Sequence, residues 1–388
     1  MNMNETIYCG KGCHIPYTDY MDFIDMVFGF KTPEQKFEGL LPKLYREDRR
    51  PQDQNYVVTE EGKLVAAVGA YDHEITVCGI KIPCRGIGNV AVHPETRSKG
   101  YMKATMNAAL EDMIRDGIAL STLGGRRQRY QYFSYDKAGP CYHYSVARDN
   151  IRHTYGTLDA PLTVKEIVDA NDPLIDGIMA IAATAPYAPT RAREAYLDIA
   201  RTWKCRLLAF MDGERLAGYC IADQGTGISE IRAARDEDFM ALIRSFSALV
   251  QNGISVGLPA FDASYIKDID PIAEHVSYSA SMSYSVLCYR LILEAFMKLK
   301  MTYASVSEGK LILYIHGYAG DERLCLSVKD GECKVESVSD DVQADLELGH
   351  LEAMNILFAP VSPNRERMKD LVRNWFPLPL WMYRADEV

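Results

Sequence analysis

Residues 90–103 read Val-Ala-Val-His-Pro-Glu-Thr-Arg-Ser-Lys-Gly-Tyr-Met-Lys. Val90, Ala91 and Val92 suit a buried strand, Pro94 ends it, and Gly100 restarts the chain as a helix through Tyr101 and Met102. A helix starting there has its first backbone N–H groups unpaired and facing one way, which suits the oxygens of a pyrophosphate. Gly100 permits close backbone approach, and Arg97 and Lys99, flanking Ser98, add positive charge together with Lys103. A basic loop before an amphipathic helix also describes a solvated turn, so spacing alone leaves both readings open.

The elements around this loop fit the first reading. Strands are expected at 64–71, 74–77, 80–83 and 87–92, with tight turns at Glu61-Gly62 and Gly79. Met102, Met106, Ala109, Leu110, Met113 and Ile114 share one face of a helix over 101–116, which Gly117 ends, and 118–123 returns as a buried strand. Strand, loop, helix and strand make a right-handed crossover whose loop lies at the strand's C-terminal edge, where ligands bind in α/β sheets. Upstream, apolar residues at helical spacing from Met21 to Phe28 predict one helix, and 33–46 a second. From 147 to about 280 the plan repeats, with helical patterning at 163–167, 173–183, 191–202 and 236–251 and strands at 206–211, 215–222 and 227–234. Beyond 282 come a helix near 288–299, strands at 310–315, 323–329 and 332–337 with Asp330-Gly331 as a hairpin turn, and a helix near 348–358.

The pattern V-x-V-x-P-x-x-R-x-x-G, lying directly between the strand and helix it requires, resembles the acyl-CoA-binding motif of GNAT acetyltransferases; Met102 departs from the family's final small residue. The whole arrangement resembles the enhanced intracellular survival (Eis) family. That resemblance implies an α/β (α+β) fold of two tandem GNAT-like domains and a C-terminal sterol-carrier-like domain: a catalytic domain over 1–146, a degenerate one over 147–281, and 282–388 with a tail reaching the active site. It implies acetyl-CoA as co-substrate, bound by Val90, Ala91, Val92, Arg97, Ser98, Lys99, Gly100, Tyr101 and Met102. It makes Tyr130 the acid that protonates the leaving thiolate, since a phenol is protonated at neutral pH, and the carboxylate of Val388 the base. Residues 130–135 differ from the family's Tyr-Gly-Arg-Phe-Gly-Tyr at Gln131, Tyr132 and Ser134. The implied acceptor is a primary amine of a cationic small molecule, aminoglycoside- or polyamine-like, or a lysine, and the implied assembly is a homo-oligomer, hexameric in the family. Direct attack needs oxyanion donors, for which the backbone near Val90 and Val92 is suited.

The second segment lacks this loop. Arg235-Asp236-Glu237-Asp238 has no glycine and puts three carboxylates where phosphates would lie, so it is expected not to bind coenzyme; acidic groups at a helix start complement its dipole. Large apolar residues and prolines over 375–381 predict a docked tail rather than a loose one.

The net charge of -10 argues against nucleic-acid binding and leans towards cationic partners, with Asp25, Asp386 and Glu387 as acidic candidates. No signal segment or membrane span is apparent, so a cytoplasmic protein is expected. The ten cysteines lack framework spacing. Cys9, Cys13 and His14 match no standard metal pattern, and no metal is expected. Cys78, Cys84 and Cys141 sit in no Cys/His arrangement and are read as core residues. The alternative from a different class is a non-catalytic lipid or hydrophobic-ligand carrier, which requires an open apolar cavity in 282–388.

Overall fold

The computed structural model describes residues 7–388. β1 (Ile7–Lys11) and β2 (Asn55–Glu60) lead to β3 (Lys63–Val77) and β4 (Ile80–Val92). The four short strands expected between 64 and 92 are therefore the arms of one hairpin. Its turn has φ of 48° at Cys78 and 80° at Gly79, the geometry that matches the twist of paired strands. The polar step read as a break is a cross-strand pair: Asp72 stands opposite Arg85, and the guanidinium donates to its carboxylate at 2.5 Å. Beyond it Ile75, Val77, Ile82 and Cys84 are buried in a core shared with the C-terminal part of the chain, which is why the hairpin continues.

The remaining strands are β5 (Leu120–Leu123), β6 (Asp136–Val146), β7 (Thr163–Ile167), β8 (Tyr187–Pro189), β9 (Arg206–Asp212), β10 (Arg215–Ala222), β11 (Gly227–Ala233), β12 (Ile254–Pro259) and β13 (His275–Val286). Among the described residues these thirteen form one sheet in the order β1-β2-β3-β4-β5-β13-β6-β12-β11-β10-β9-β7, with β8 added to β3. β13 is inserted between β5 and β6, and β6 pairs by its other edge with β12, so the two α/β segments share a continuous sheet. β13 also runs through residue 281, where the sequence reading divides the second segment from the third.

Two helical expectations fail for identifiable reasons. Residues 163–167 are a strand: Thr163, Val164 and Ile167 are β-branched, and the edge of β9 is available to pair. The run over 33–46 breaks into a short turn, Pro33–Gln35, and a short helix, Phe37–Leu40, because Pro42 pushes Leu41 out of the helical region.

A second sheet, ordered β16-β15-β14-β17, contains β14 (Gly309–Gly317), β15 (Gly320–Lys329), β16 (Glu332–Ser337) and β17 (Leu346–Gly349). Ile292 and Phe296 of the helix Tyr289–Met301 share a core with Leu311, Leu313, Leu324 and Leu326, so side chains fill the space between helix and sheet.

The tail then returns across the molecule. Trp375, Leu378, Leu380 and Trp381 are buried, Tyr187 donates to the Trp381 carbonyl at 2.8 Å, and Lys300 donates to the Asn374 carbonyl at 2.8 Å. Burial pushes the Lys300 ammonium down from 10.5 to about 8. Between those values the unfolded chain holds a proton that the folded chain has released, so stability rises with pH there. From Lys300 alone, urea unfolding is expected to show a gain on the order of 1 kcal/mol per pH unit above about pH 8, and Lys300→Met to remove that share while Lys43, which burial also pushes down to about 8, keeps its own.

Candidate active site

The parallel strands β4 and β5 pair from Cys84↔Leu120 to Ile87↔Leu123. β5 stops there and gives way to Gly124 and Gly125, while β4 continues to Val92. Past Ile87, no strand among the described residues lies against the β4 edge that faced β5. On the other edge Ala67 pairs with Ala91 and Gly69 with Gly88, so Val68 stands opposite both Asn89 and Val90. This bulge, with Asn89 at φ 38°, bends the strand and interrupts its ladder.

A buried network holds the bulge. Tyr45 and Tyr71 donate to Asn89 Oδ1 at 2.9 and 3.0 Å, and Asn89 Nδ2 donates to Asn55 Oδ1 at 2.8 Å. Such networks fix geometry because leaving any member unpaired in the interior is costly.

A cleft of about 1030 Å³ occupies the gap. At one end begins the helix Tyr101–Arg115, anchored by Met106, Ala109, Leu110 and Met113, all fully buried. Gly100 precedes it with φ 85°, a left-handed conformation that favours glycine. Among the sequence-predicted residues, Val90, Val92, Arg97, Ser98, Gly100, Tyr101, Met102, Tyr130 and Val388 line this one cleft. Ala91 and Lys99 do not. Strand alternation turns Ala91 to the face of β4 opposite Val90 and Val92, where it is buried, and the Lys99 ammonium lies 2.9 Å from Glu60.

Lys103, Arg126 and Arg129 join Arg97 on the wall, so the start of the helix, a cluster of cations and an open strand edge face one space. These features fit the diphosphate and the amide-bearing arm of coenzyme A. Arg127 turns away to Asp136, to which it donates at 2.5 Å. Tyr130 ends the short helix Arg127–Tyr130, and burial raises its phenol above the usual tyrosine value. Gly125 makes room for its ring, since a Cβ there would stand 2.5 Å from Tyr130 Cε2.

Val388 closes the other end. It lies against β4 where Gly86 and Gly88 provide space: a Cβ on Gly86 would fall 2.6 Å from Val388 Cγ2, and one on Gly88 3.3 Å from the Val388 backbone carbonyl carbon. A buried latch holds the tail just before this point. Arg191 donates to Asp386 at 2.9 and 2.7 Å and to Glu230 at 2.9 and 2.7 Å, and Arg232 donates to the Tyr383 hydroxyl at 2.6 Å. Arg191→Met would leave buried Asp386 and Glu230 without their guanidinium, Glu230 keeping only the Tyr219 hydroxyl at 2.7 Å. It is expected to cost about 3 kcal/mol, read as a lower urea midpoint with an unchanged m-value.

Of the three acidic candidates only Glu387 lines the cleft, and burial raises its carboxyl above the ordinary range. Asp386 is committed to Arg191, and Asp25 to Lys36 at 2.8 Å. In the second segment Asp238 accepts from Arg215 at 2.7 Å and from Arg235 at 3.0 Å, so that loop's charge is used internally. Cys9 and Cys13 are exposed, and His14 meets the Tyr8 ring edge-on at 4.7 Å.

Residues 16–139 match the acetyltransferase (GNAT) domain family. This part of the chain is a GNAT acetyltransferase domain, and with it the protein is by class an acyl-CoA-dependent transferase. The full chain shares its fold with Eis1 from Mycobacterium abscessus, at 14% identity, coverage of 99% of this chain and 100% of that one, and a TM-score of 0.62. A GCN5-related N-acetyltransferase from Anabaena variabilis is 15% identical over 97% of this chain and 98% of its own, with a TM-score of 0.69. A probable N-acyltransferase from Enterococcus faecalis is 18% identical over 90% and 89%, with a TM-score of 0.64. No curated protein matches in sequence. No helix among the described residues is long and apolar enough to cross a membrane.

Sequence reasoning missed Gly86, Gly88, Gly124, Gly125, Arg126 and Arg129. Glycines inside a strand pattern signal a close approach by something else, and a glycine pair followed by arginines after a buried strand resembles the loop at 97–100.

Proposed function

We propose that the chain is an N-acetyltransferase that moves the acetyl group of acetyl-CoA to a primary amine by direct attack, with Tyr130 as acid and the Val388 carboxylate as base. The observation that supports this most is the single cleft running from the helix start at Gly100, past Tyr130, to the terminus. Acetyl-CoA supplies the activated thioester and leaves as coenzyme A. Arg97, Arg126, Arg129 and the first N–H groups of the helix hold its phosphates, and the open edge of β4 positions the arm and offers donors to the carbonyl oxygen. The amine nitrogen bonds to the carbonyl carbon as the carbon–sulfur bond breaks. The terminal carboxylate takes the proton lost by nitrogen, and Tyr130 gives its hydroxyl proton to sulfur. Aminoglycosides, polyamines and lysine side chains are the acceptors suggested by the Eis resemblance. The three-part division at 146 and 281, with the middle segment as a wall and the last as a tail carrier, belongs to the same proposal.

Titration of acetyl-CoA into the full-length chain tests this reading. Saturable binding that competes with coenzyme A is expected. No binding, together with uptake of a fatty acid or sterol, would favour the carrier alternative.

A further inference from the structure

We infer, resting on the acyltransferase reading above, that the acceptor is a primary amine with an aromatic or branched apolar group within a few bonds of its nitrogen, rather than a polycation. Beside the terminus the cleft is walled by Val27, Phe28, Phe37 and Trp203. Val27, Phe37, Trp203 and Val388 pack in one cluster, so this wall adjoins the carboxylate that receives the amine's proton. Ring contacts of 4.9 Å between Phe28 and Phe37 and 5.1 Å between Phe30 and Phe37 fix its shape. Phe28 nevertheless remains 43% exposed, leaving part of its ring open to cover by a ligand. Trp203 sits at φ 57°, a conformation that bulky residues avoid and that its surroundings must impose.

The charges point the same way. A polycation needs several carboxylates to replace its lost hydration. Among the cleft-lining residues only Glu387 and the terminus supply them. Arg97, Lys103, Arg126 and Arg129, the other charged residues of the lining, serve the coenzyme's phosphates and offer nothing to a second or third ammonium. One ammonium suits Glu387 and the terminus, and an apolar remainder gains by covering Phe28 and Trp203.

The test compares kcat/KM for 2-phenylethylamine, spermidine and kanamycin with acetyl-CoA, using the full chain, Phe28→Ser, Trp203→Ala and the milder Trp203→Phe. The aromatic amine is expected to lead spermidine by about 10-fold or more, with Phe28→Ser and Trp203→Ala each removing most of that lead through KM and Trp203→Phe keeping part of it. Equal or better use of spermidine or kanamycin would overturn the inference and leave the acyltransferase reading standing. So would substitutions that change the choice among acetyl-, propionyl- and butyryl-CoA while leaving the amine ranking intact. Absence of thiol release with every amine would remove the acyltransferase reading, and this inference with it.

Discussion

Deleting Val388 is expected to lower kcat by about 10²- to 10⁴-fold, the range for losing a positioned general base, while leaving the urea midpoint near that of the intact chain. The deletion moves the terminal carboxylate back to residue 387, away from the space beside Gly86 and Gly88 that the last residue fills. It leaves the latch untouched: Arg191 still holds Asp386 and Glu230, and Arg232 still holds Tyr383. Loss of rate without loss of stability would therefore mark a chemical role for the terminus. Raising the pH should partly restore the rate, because more of the amine is then already neutral. A frayed, unused terminus would give no change in rate, and that result would remove the base from the mechanism.

Tyr130→Phe is expected to cost about 10²-fold or more in kcat with little effect on acetyl-CoA binding. The substitution keeps the ring that packs beside Gly125 and removes only the hydroxyl. Because burial raises the Tyr130 phenol above its usual value near 10, the intact enzyme should keep its acid protonated throughout neutral and mildly alkaline pH. No alkaline fall in kcat from this group is expected below about pH 10. A variant with unchanged kcat would make Tyr130 a packing residue. The acid would then have to be sought elsewhere on the cleft wall, beginning with Glu387.

The parts of this site that are local in sequence were readable from it. Arg97, Ser98, Gly100 and the apolar stripe of the following helix lie within one crossover unit, and a strand–loop–helix order is written in ten to twenty adjacent residues. The turns at Glu61-Gly62 and Asp330-Gly331 were readable for the same reason, since both residues of each turn have positive φ and the glycine marks the place. Ala91 and Lys99 fall outside the cleft lining because a motif gives position along the chain and not the face on which a side chain emerges.

What depends on distant partners was not readable. The insertion of β13 between β5 and β6 joins residues more than 130 positions apart, such as Ser283 and Lys137, and no local pattern records which edge a strand will choose. Gly86 and Gly88 acquire their meaning from the last residue of the chain. Asp386 has the composition of a pocket acid, yet its environment is set by Arg191 on another element, which turns it into an anchor. The bulge at Asn89 likewise depends on Tyr45, Tyr71 and Asn55, which converge only once the sheet is built.

Direct transfer within one complex is the core of this account, and a single incubation tests it. The full-length chain is mixed with carbonyl-labelled acetyl-CoA and 2-phenylethylamine, and both the small molecules and the intact protein are weighed by mass spectrometry. Labelled N-acetylated amine formed in step with free coenzyme A, on a protein that never gains mass, is the predicted result. Label accumulating on the protein before any amide forms, or coenzyme A released without amide, would contradict it.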